Sequence, residues 1–254
     1  AIILDVNNDG WDDIFVSNDF VTSSALYINQ QDGTFKENTS QYFKHQSFSS
    51  MGVDVADFDN NLEEDLISLD MLPRTSVRTK QMFSKANFLF YDLLDHYNEE
   101  PQYMRNCLYA AENNRYHEIS QLAGVHNTDW SWSPLFVDLD NDGKKDLSIT
   151  NGFPRDLTDL DFINYRDSYN SIMATQKDYL RKIPQIKISN VIFKNKGQFG
   201  FEDITAAWGV NRPSYSNGQA TADLDSDGDL ELIVNNINQQ VYLYDNHADQ
   251  QKVG

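Results

Sequence analysis

Short β-type runs recur along the chain in a fixed order around acidic stretches. Apolar runs occupy residues 1–4, 52–56, 135–137 and 219–222. Each leads into nine Asp-rich residues, and each of these into a β-rich run at 14–17, 66–69, 147–150 and 232–235. A third run carries an aromatic or aliphatic pair: ALYIN (25–29), CLYAA (107–111), NVIFKN (190–195) and QVYLYDN (240–246). A fourth run closes three of the units: GTFKENT (33–39), RYHEIS (115–120) and FGFEDIT (199–205). Period-two alternation, β-branched and aromatic enrichment, and turns of Gly, Asn and Asp all predict strands. The chain is therefore expected to be mainly β, built from four-stranded antiparallel units with an acidic loop in the first hairpin of each.

The first two loops are 52 residues apart, a spacing that suits propeller blades of four strands around a central channel. The later spacings of 81 and 85 predict insertions at 73–106 and 153–189, between second and third strands. Residues 80–99 place Met82, Phe83, Ala86, Leu89, Phe90, Leu93 and Leu94 on one helical face. Residues 157–183 do the same with Leu160, Ile163, Tyr165, Tyr169, Ile172, Met173 and Leu180. The expected organisation is a partial propeller over 1–254, with blades at about 1–40, 41–124, 125–210 and 211–254. The outer two are expected to be incomplete. The opening AIIL already reads as a buried strand, so the chain is expected to be a piece of a longer protein.

The four acidic loops are DVNNDGWDD (5–13), DFDNNLEED (57–65), DLDNDGKKD (138–146) and DLDSDGDLE (223–231). Each places oxygen side chains at positions one, three, five and nine, and a backbone carbonyl at position seven can join them. Calcium takes six to eight hard oxygen ligands at about 2.3–2.6 Å, which this spacing supplies. The candidate ligands are Asp5, Asn7, Asp9, Trp11 and Asp13 in the first loop, and Asp57, Asp59, Asn61, Glu63 and Asp65 in the second. The third offers Asp138, Asp140, Asp142, Lys144 and Asp146, and the fourth Asp223, Asp225, Asp227, Asp229 and Glu231. The third and fourth loops have the most complete sets. In the second, Leu62 stands where the others have Gly, so a positive φ there would be strained. Three to four calcium ions are expected. An EF-hand is excluded, because it needs a Glu at position twelve, where this chain has Val16, Ser68, Ile149 and Val234. The tandem Gly-rich nonapeptides of other calcium repeats are absent too.

These motifs resemble the FG-GAP/VCBS repeats of integrin-alpha-type β-propellers. The longer strings VSNDFVTSSALYINQQDGTF, SLDMLPRTSVR, QYMRNCLY, QLAGVHNTDWSWSPLFVDLDNDGKKDL and TNGFPRDLTDLDFINY are closer still to VCBS-repeat proteins of Bacteroides-group bacteria. Those proteins often carry an ASPIC/UnbV domain and look like relatives of the cartilage acidic protein family. The resemblance covers essentially the whole chain and implies a propeller, commonly of seven blades, with the rest of the ring supplied by the parent protein or another chain.

With 20 basic and 39 acidic residues, the formal net charge is −19, which disfavours nucleic acid and anionic membranes as partners. Fourteen of the acidic residues sit at side-chain ligand positions of the loops. The single cysteine, Cys107, excludes an intrachain disulfide framework. Weak extracellular calcium sites have a Kd of about 10⁻⁴–10⁻³ M and would stand empty in a cytosol. An exported protein at the cell surface is therefore expected, braced by calcium and recognising a glycan or protein. Trp130 and Trp132 are candidates for stacking on sugars, with core packing the favoured competing reading. Arg74, Arg78 and Arg155 are candidates for a polar rim, against ordinary surface contacts. No Gly-rich phosphate loop, nucleophile elbow or HExxH motif is present. The alternative is a polysaccharide lyase or hydrolase on the same scaffold, with Tyr165, Arg166 and His126 as participants.

Overall fold

The computed structural model of the chain describes residues 1–19, 22–82, 88–97, 100–168 and 176–248. The first sheet runs β1 (Ile2–Leu4), β2 (Asp13–Val16), β3 (Ala25–Asn29) and β4 (Phe35–Glu37), antiparallel throughout. A one-turn helix α1 (Thr39–Tyr42) and β5 (Gln46–Ser47) follow. The second sheet begins with β6 (Val53–Ala56) and β7 (Asp65–Ser68). It is interrupted by α2 (Ser76–Gln81), α3 (Phe88–His96) and β8 (Gln102–Tyr103), and resumes with β9 (Cys107–Ala111) and β10 (Tyr116–Glu118). After α4 (Ser120–Ala123), the third sheet begins with β11 (Ser131–Val137) and β12 (Asp146–Asn151). It is interrupted by α5 (Leu160–Asp167), α6 (Gln176–Arg181) and β13 (Ile188–Ser189), and ends with β14 (Val191–Asn195) and β15 (Phe201–Asp203). Then come β16 (Pro213–Ser214) and a last sheet of β17 (Ser216–Ala222), β18 (Glu231–Asn236) and β19 (Tyr242–Tyr244). The protein is mainly β, and its four-stranded antiparallel sheets are consistent with propeller blades. The first sheet has the four strands that its four sequence runs predict.

Alternation explains how the sheets stack. In β7, Leu66 enters the core shared with the first sheet, and its neighbour Ile67 enters the core shared with the third. Their ladder partners in β9, Tyr109 and Leu108, divide the same way. In β14, Val191 and Phe193 face the second sheet and Ile192 faces the fourth. The middle strands β7, β9 and β14 are thus apolar on both faces, as expected for a sheet covered on both sides, whereas β12 puts Leu147 and Ile149 on one face and Ser148 and Thr150 on the other. The first strands lie side by side, β1 by β6, β6 by β11 and β11 by β17, as inner strands around an axis do. Polar side chains tie them together. Asp54 of β6 accepts from the Phe136 N–H (2.7 Å), and Gln219 of β17 donates to the Ser133 and Ser148 carbonyls.

Among the described residues, each insertion shows two short helices. Thr75 caps α2 by accepting from the Arg78 N–H, and Asp159 caps α5 by accepting from the Phe162 N–H. Of the expected helical faces, Phe83, Ala86, Tyr169, Ile172 and Met173 lie outside the described residues, as do the side chains of Leu89, Phe90 and Leu93. Met82 and Leu94 are buried as the pattern requires; in the second insertion the buried residue is Phe162, which the predicted face did not include, while Leu160, Ile163 and Tyr165 are half-buried and Leu180 is exposed. A further repeat was not anticipated. At the end of three fourth strands, an acidic residue accepts from the N–H of the Ser or Thr two residues on: Glu37 from Thr39, Glu118 from Ser120 and Asp203 from Thr205.

Gly52 marks the closest approach of the second and third sheets. A Cβ there would fall inside the Trp132 carbonyl group and against Pro134. Backbone atoms on both sides cannot yield cheaply, so overpacking should be felt in full. Gly52→Ala is expected to lower stability by at least about 1–3 kcal/mol in urea unfolding, whereas Gly218→Ala, which meets nothing within 4 Å, should cost well under that.

Candidate metal centres

The loops share one hydrogen-bond scheme, which follows from their sequence spacing. The position-one carboxylate accepts from the N–H of position six: Gly10 to Asp5 (2.8 Å), Leu62 to Asp57 (2.9 Å) and Gly143 to Asp138 (2.8 Å). The position-five side chain accepts from the N–H of position seven in all four: Trp11 to Asp9, Glu63 to Asn61, Lys144 to Asp142 and Asp229 to Asp227. Position six is left-handed everywhere, with φ of 82°, 71°, 86° and 97° at Gly10, Leu62, Gly143 and Gly228. Leu62 is therefore strained as expected, and its side chain is 89% exposed. The second loop nonetheless closes with the same bonds as its neighbours. Position four is also left-handed, at Asn8, Asn60, Asn141 and Ser226. Asn tolerates that conformation better than most residues, so its recurrence at three of these positions was a readable signal.

Position nine is buried in every loop, and in the fourth Asp229 is buried beside it. Asp13, Asp65 and Asp146 are wholly inaccessible and Glu231 is nearly so. Each Asp accepts one N–H from its own loop and one from its sheet's third strand: Asp13 from Val6 and Asn29, Asp65 from Phe58 and Ala111, Asp146 from Leu139 and Asn195. Glu231 accepts from Leu224 (2.6 Å). Neighbouring loops are also chained, since Asn60 donates to the Gly143 carbonyl and Asn141 to that of Gly228.

The second, third and fourth loops bring carboxylates together. Ligand atoms of Asp57, Asp59 and Asp65 lie within 4.8 Å of one another, as do those of Asp138, Asp140 and Asp146, of Asp223, Asp225 and Glu231, and of Asp227, Asp229 and Glu231. The first loop does not gather Asp5, Asp9 and Asp13 in this way. Its Asp9 instead accepts from the amides of Asn7 and Gln31, both at 3.1 Å. Among the described residues, no basic side chain pairs with Asp57, Asp59 or Asp65, nor with Asp223, Asp225 or Glu231. Burial and the nearby Asp59 and Asp57 push Asp65 up to about 7, although two N–H groups oppose the shift. Among the described residues, buried Glu63 Oε2, Asp140 Oδ1 and Glu231 Oε1 have no hydrogen-bond partner. Converged carboxylates with orphaned oxygens and no counter-charge fit a hard divalent cation. The third loop departs from its expected superiority, because Lys194 and Lys144 already contact Asp140 and Asp142.

The other candidate residues are largely engaged in packing. Trp130 is buried and stacks on Phe153 (centroids 4.7 Å apart) and on Trp132 (6.0 Å), so the pair share one side, as alternation indicated. The rim arginines turn inward. Arg78 reaches across to Asp129 (3.1 Å) and the inaccessible Asp156 (3.2 Å), and Arg74 pairs with Asp203 (2.8 Å). Arg74, itself exposed, ties the first insertion to β15 of the third sheet, and Arg78 ties it to the segment before β11 and to the second insertion; Arg155 is exposed. Arg166 pairs with its chain neighbour Asp167. A cluster the sequence did not suggest joins His45, Arg105 and Glu118. Glu118 Oε2 lies 3.1 Å from His45 Nε2 and 2.8 Å from the Arg105 guanidinium.

Residues 5–68 match the FG-GAP-like repeat family, a stretch that holds the first two loops and the strands around them. No curated protein matches the chain.

Burial opposes ionisation of Glu118, but hydrogen bonds from His45 and Ser120 and the charge of Arg105 outweigh it and hold its carboxyl down to about 2, from an ordinary 4.5. A lowered carboxyl stabilises the fold above its unfolded pKa, and that contribution is lost as pH falls toward the folded value. Glu118→Gln is therefore expected to cost roughly 2–3 kcal/mol at pH 6–7. The gap between variant and wild type should close between pH 4.5 and 2, measured by urea unfolding across that range.

Proposed function

We propose that this chain is part of an extracellular β-propeller braced by calcium, acting as a non-catalytic binding module for a glycan or protein. One observation carries the reading: the second loop gathers Asp57, Asp59 and Asp65 and the fourth Asp223, Asp225 and Glu231, with no basic side chain among the described residues paired to them, while the ionic groups outside the loops serve largely as braces. The second and fourth loops hold calcium most readily. Recognition falls to the two insertions, which rise from the same interval in successive sheets and are fastened to the scaffold by Arg74 and Arg78. Function concentrates on such loops when a rigid frame positions them.

The remainder of a ring is the second partner in this reading. The first sheet turns Ile3, Tyr27 and Phe35 outward, and the fourth turns Val241 and Leu243 outward, all well exposed. These faces correspond to the ones that successive sheets bury against each other within the chain. Further sheets of the same kind are their natural cover, and the expected location of the assembled protein is the cell exterior or outer-membrane surface.

A site held at ten times its Kd contributes RT ln 11, about 1.4 kcal/mol, and two such sites about 3 kcal/mol. Chelation is expected to lower the Tm by roughly 5–10 °C relative to millimolar calcium; an unchanged Tm in a melt with and without chelator would sink the calcium reading. A glycan array followed by a product assay on the hits addresses recognition. Binding without new reducing ends or unsaturated products is expected, and turnover would replace the binding reading with the enzymatic one.

A further inference from the structure

We propose that Lys194 is a built-in competitor for calcium: its ammonium counters the third loop's carboxylates and sets that loop's affinity below those of the second and fourth. The inference rests on the calcium reading above.

Lys194 lies in β14, one residue before Asn195, whose N–H binds Asp146 of the same loop. Its amide also donates to the carbonyl of loop position eight, Lys145. The same contact places Asn29 on Asp12 and Asn246 on Leu230, which aligns the strands. The residues matching Lys194 in the other sheets are then Ile28, Ala110 and Asp245. Only the third sheet aims a cation from this position. The Lys194 ammonium pairs with Asp140 Oδ2 and stands 3.5 Å from Asp142 Oδ2, with Lys144 3.3 Å from the same oxygen. It therefore binds the carboxylates of positions three and five, two of the ligands an ion requires.

An incoming divalent ion must detach the ammonium from both, and would repel it at close range if it stayed. The displaced side chain has somewhere to go, since Lys194 borders a cleft of about 570 Å³ shared with Trp208, Leu230 and Tyr244. The converse also holds. Without an ion, the third loop keeps partial neutralisation, while the second and fourth keep none from basic side chains described here. Calcium withdrawal then loosens the second and fourth hairpins first and leaves the third sheet, the attachment point of the second insertion, in place.

The test compares wild type with Lys194→Met and Lys194→Gln by calorimetric calcium titration and by thermal melts in chelator and in millimolar calcium. Both variants are expected to bind calcium about five- to tenfold more tightly at one site, the factor lost when one or two partly exposed ion pairs no longer compete. Adding Asp138→Ala to either variant should abolish that gain, which assigns it to the third loop. In chelator the variants should melt below wild type, and in calcium they should match or exceed it. Calcium binding to wild type with an isotherm unchanged in both variants would overturn the proposal while leaving the calcium reading intact. The same holds if the variants differ from wild type equally in chelator and in calcium. No calcium binding to any of the proteins would overturn both.

Discussion

The buried carboxylate at loop position nine is the interaction on which the rest of this structure depends. Asp13, Asp65 and Asp146 each bind the start of their own loop with one oxygen and the end of the third strand with the other. One side chain therefore fixes the loop's path, the hairpin's closure and the register of a strand up to 49 residues away in sequence. That arrangement lets an insertion of more than thirty residues separate β7 from β9 or β12 from β14 without disturbing the sheet. It also carries an electrostatic cost. Burial raises Asp13, lifts Asp146 to about 6 and Asp65 to about 7, so each of the first three sheets holds a carboxylate in a place that disfavours its charge.

A cation is one solution to that cost, and the loops have adopted different ones. Among the described residues, no basic side chain pairs with the converged Asp57, Asp59 and Asp65 of the second or Asp223, Asp225 and Glu231 of the fourth. The first turns amides of Asn7 and Gln31 onto Asp9. The third draws in Lys194 and Lys144. Four copies of one motif thus occupy different points between a metal-requiring and a self-neutralised state. The Asn60 and Asn141 contacts chain three of the loops along one edge.

The loops and most strands were legible because their signal is local. Acidic spacing and period-two alternation fall within nine-residue windows, and the split of Leu66 and Ile67 between two cores follows from alternation alone. The Trp130–Trp132 stack was legible for the same reason. Contacts that depend on distant chain segments were not. Lys194 meets Asp140 across 54 residues and Arg78 meets Asp156 across 78, and nothing near either residue in sequence announces the partner. The insertions show an intermediate case. Their apolar spacing is helical, but the chain is already extended at Met82, just after α2, and a face drawn over twenty residues hides such a break. Loop quality was the least legible feature, because it depends on what the third strand brings to the loop rather than on the loop itself.

The central claim is that the converged carboxylates hold calcium, most firmly in the second and fourth loops. Anomalous diffraction from a crystal grown in millimolar calcium measures this directly. The account predicts anomalous density among Asp57, Asp59 and Asp65 and beside Glu231, with weaker density or none beside Asp140. Density absent from every loop, with the carboxylates still converged, would contradict it.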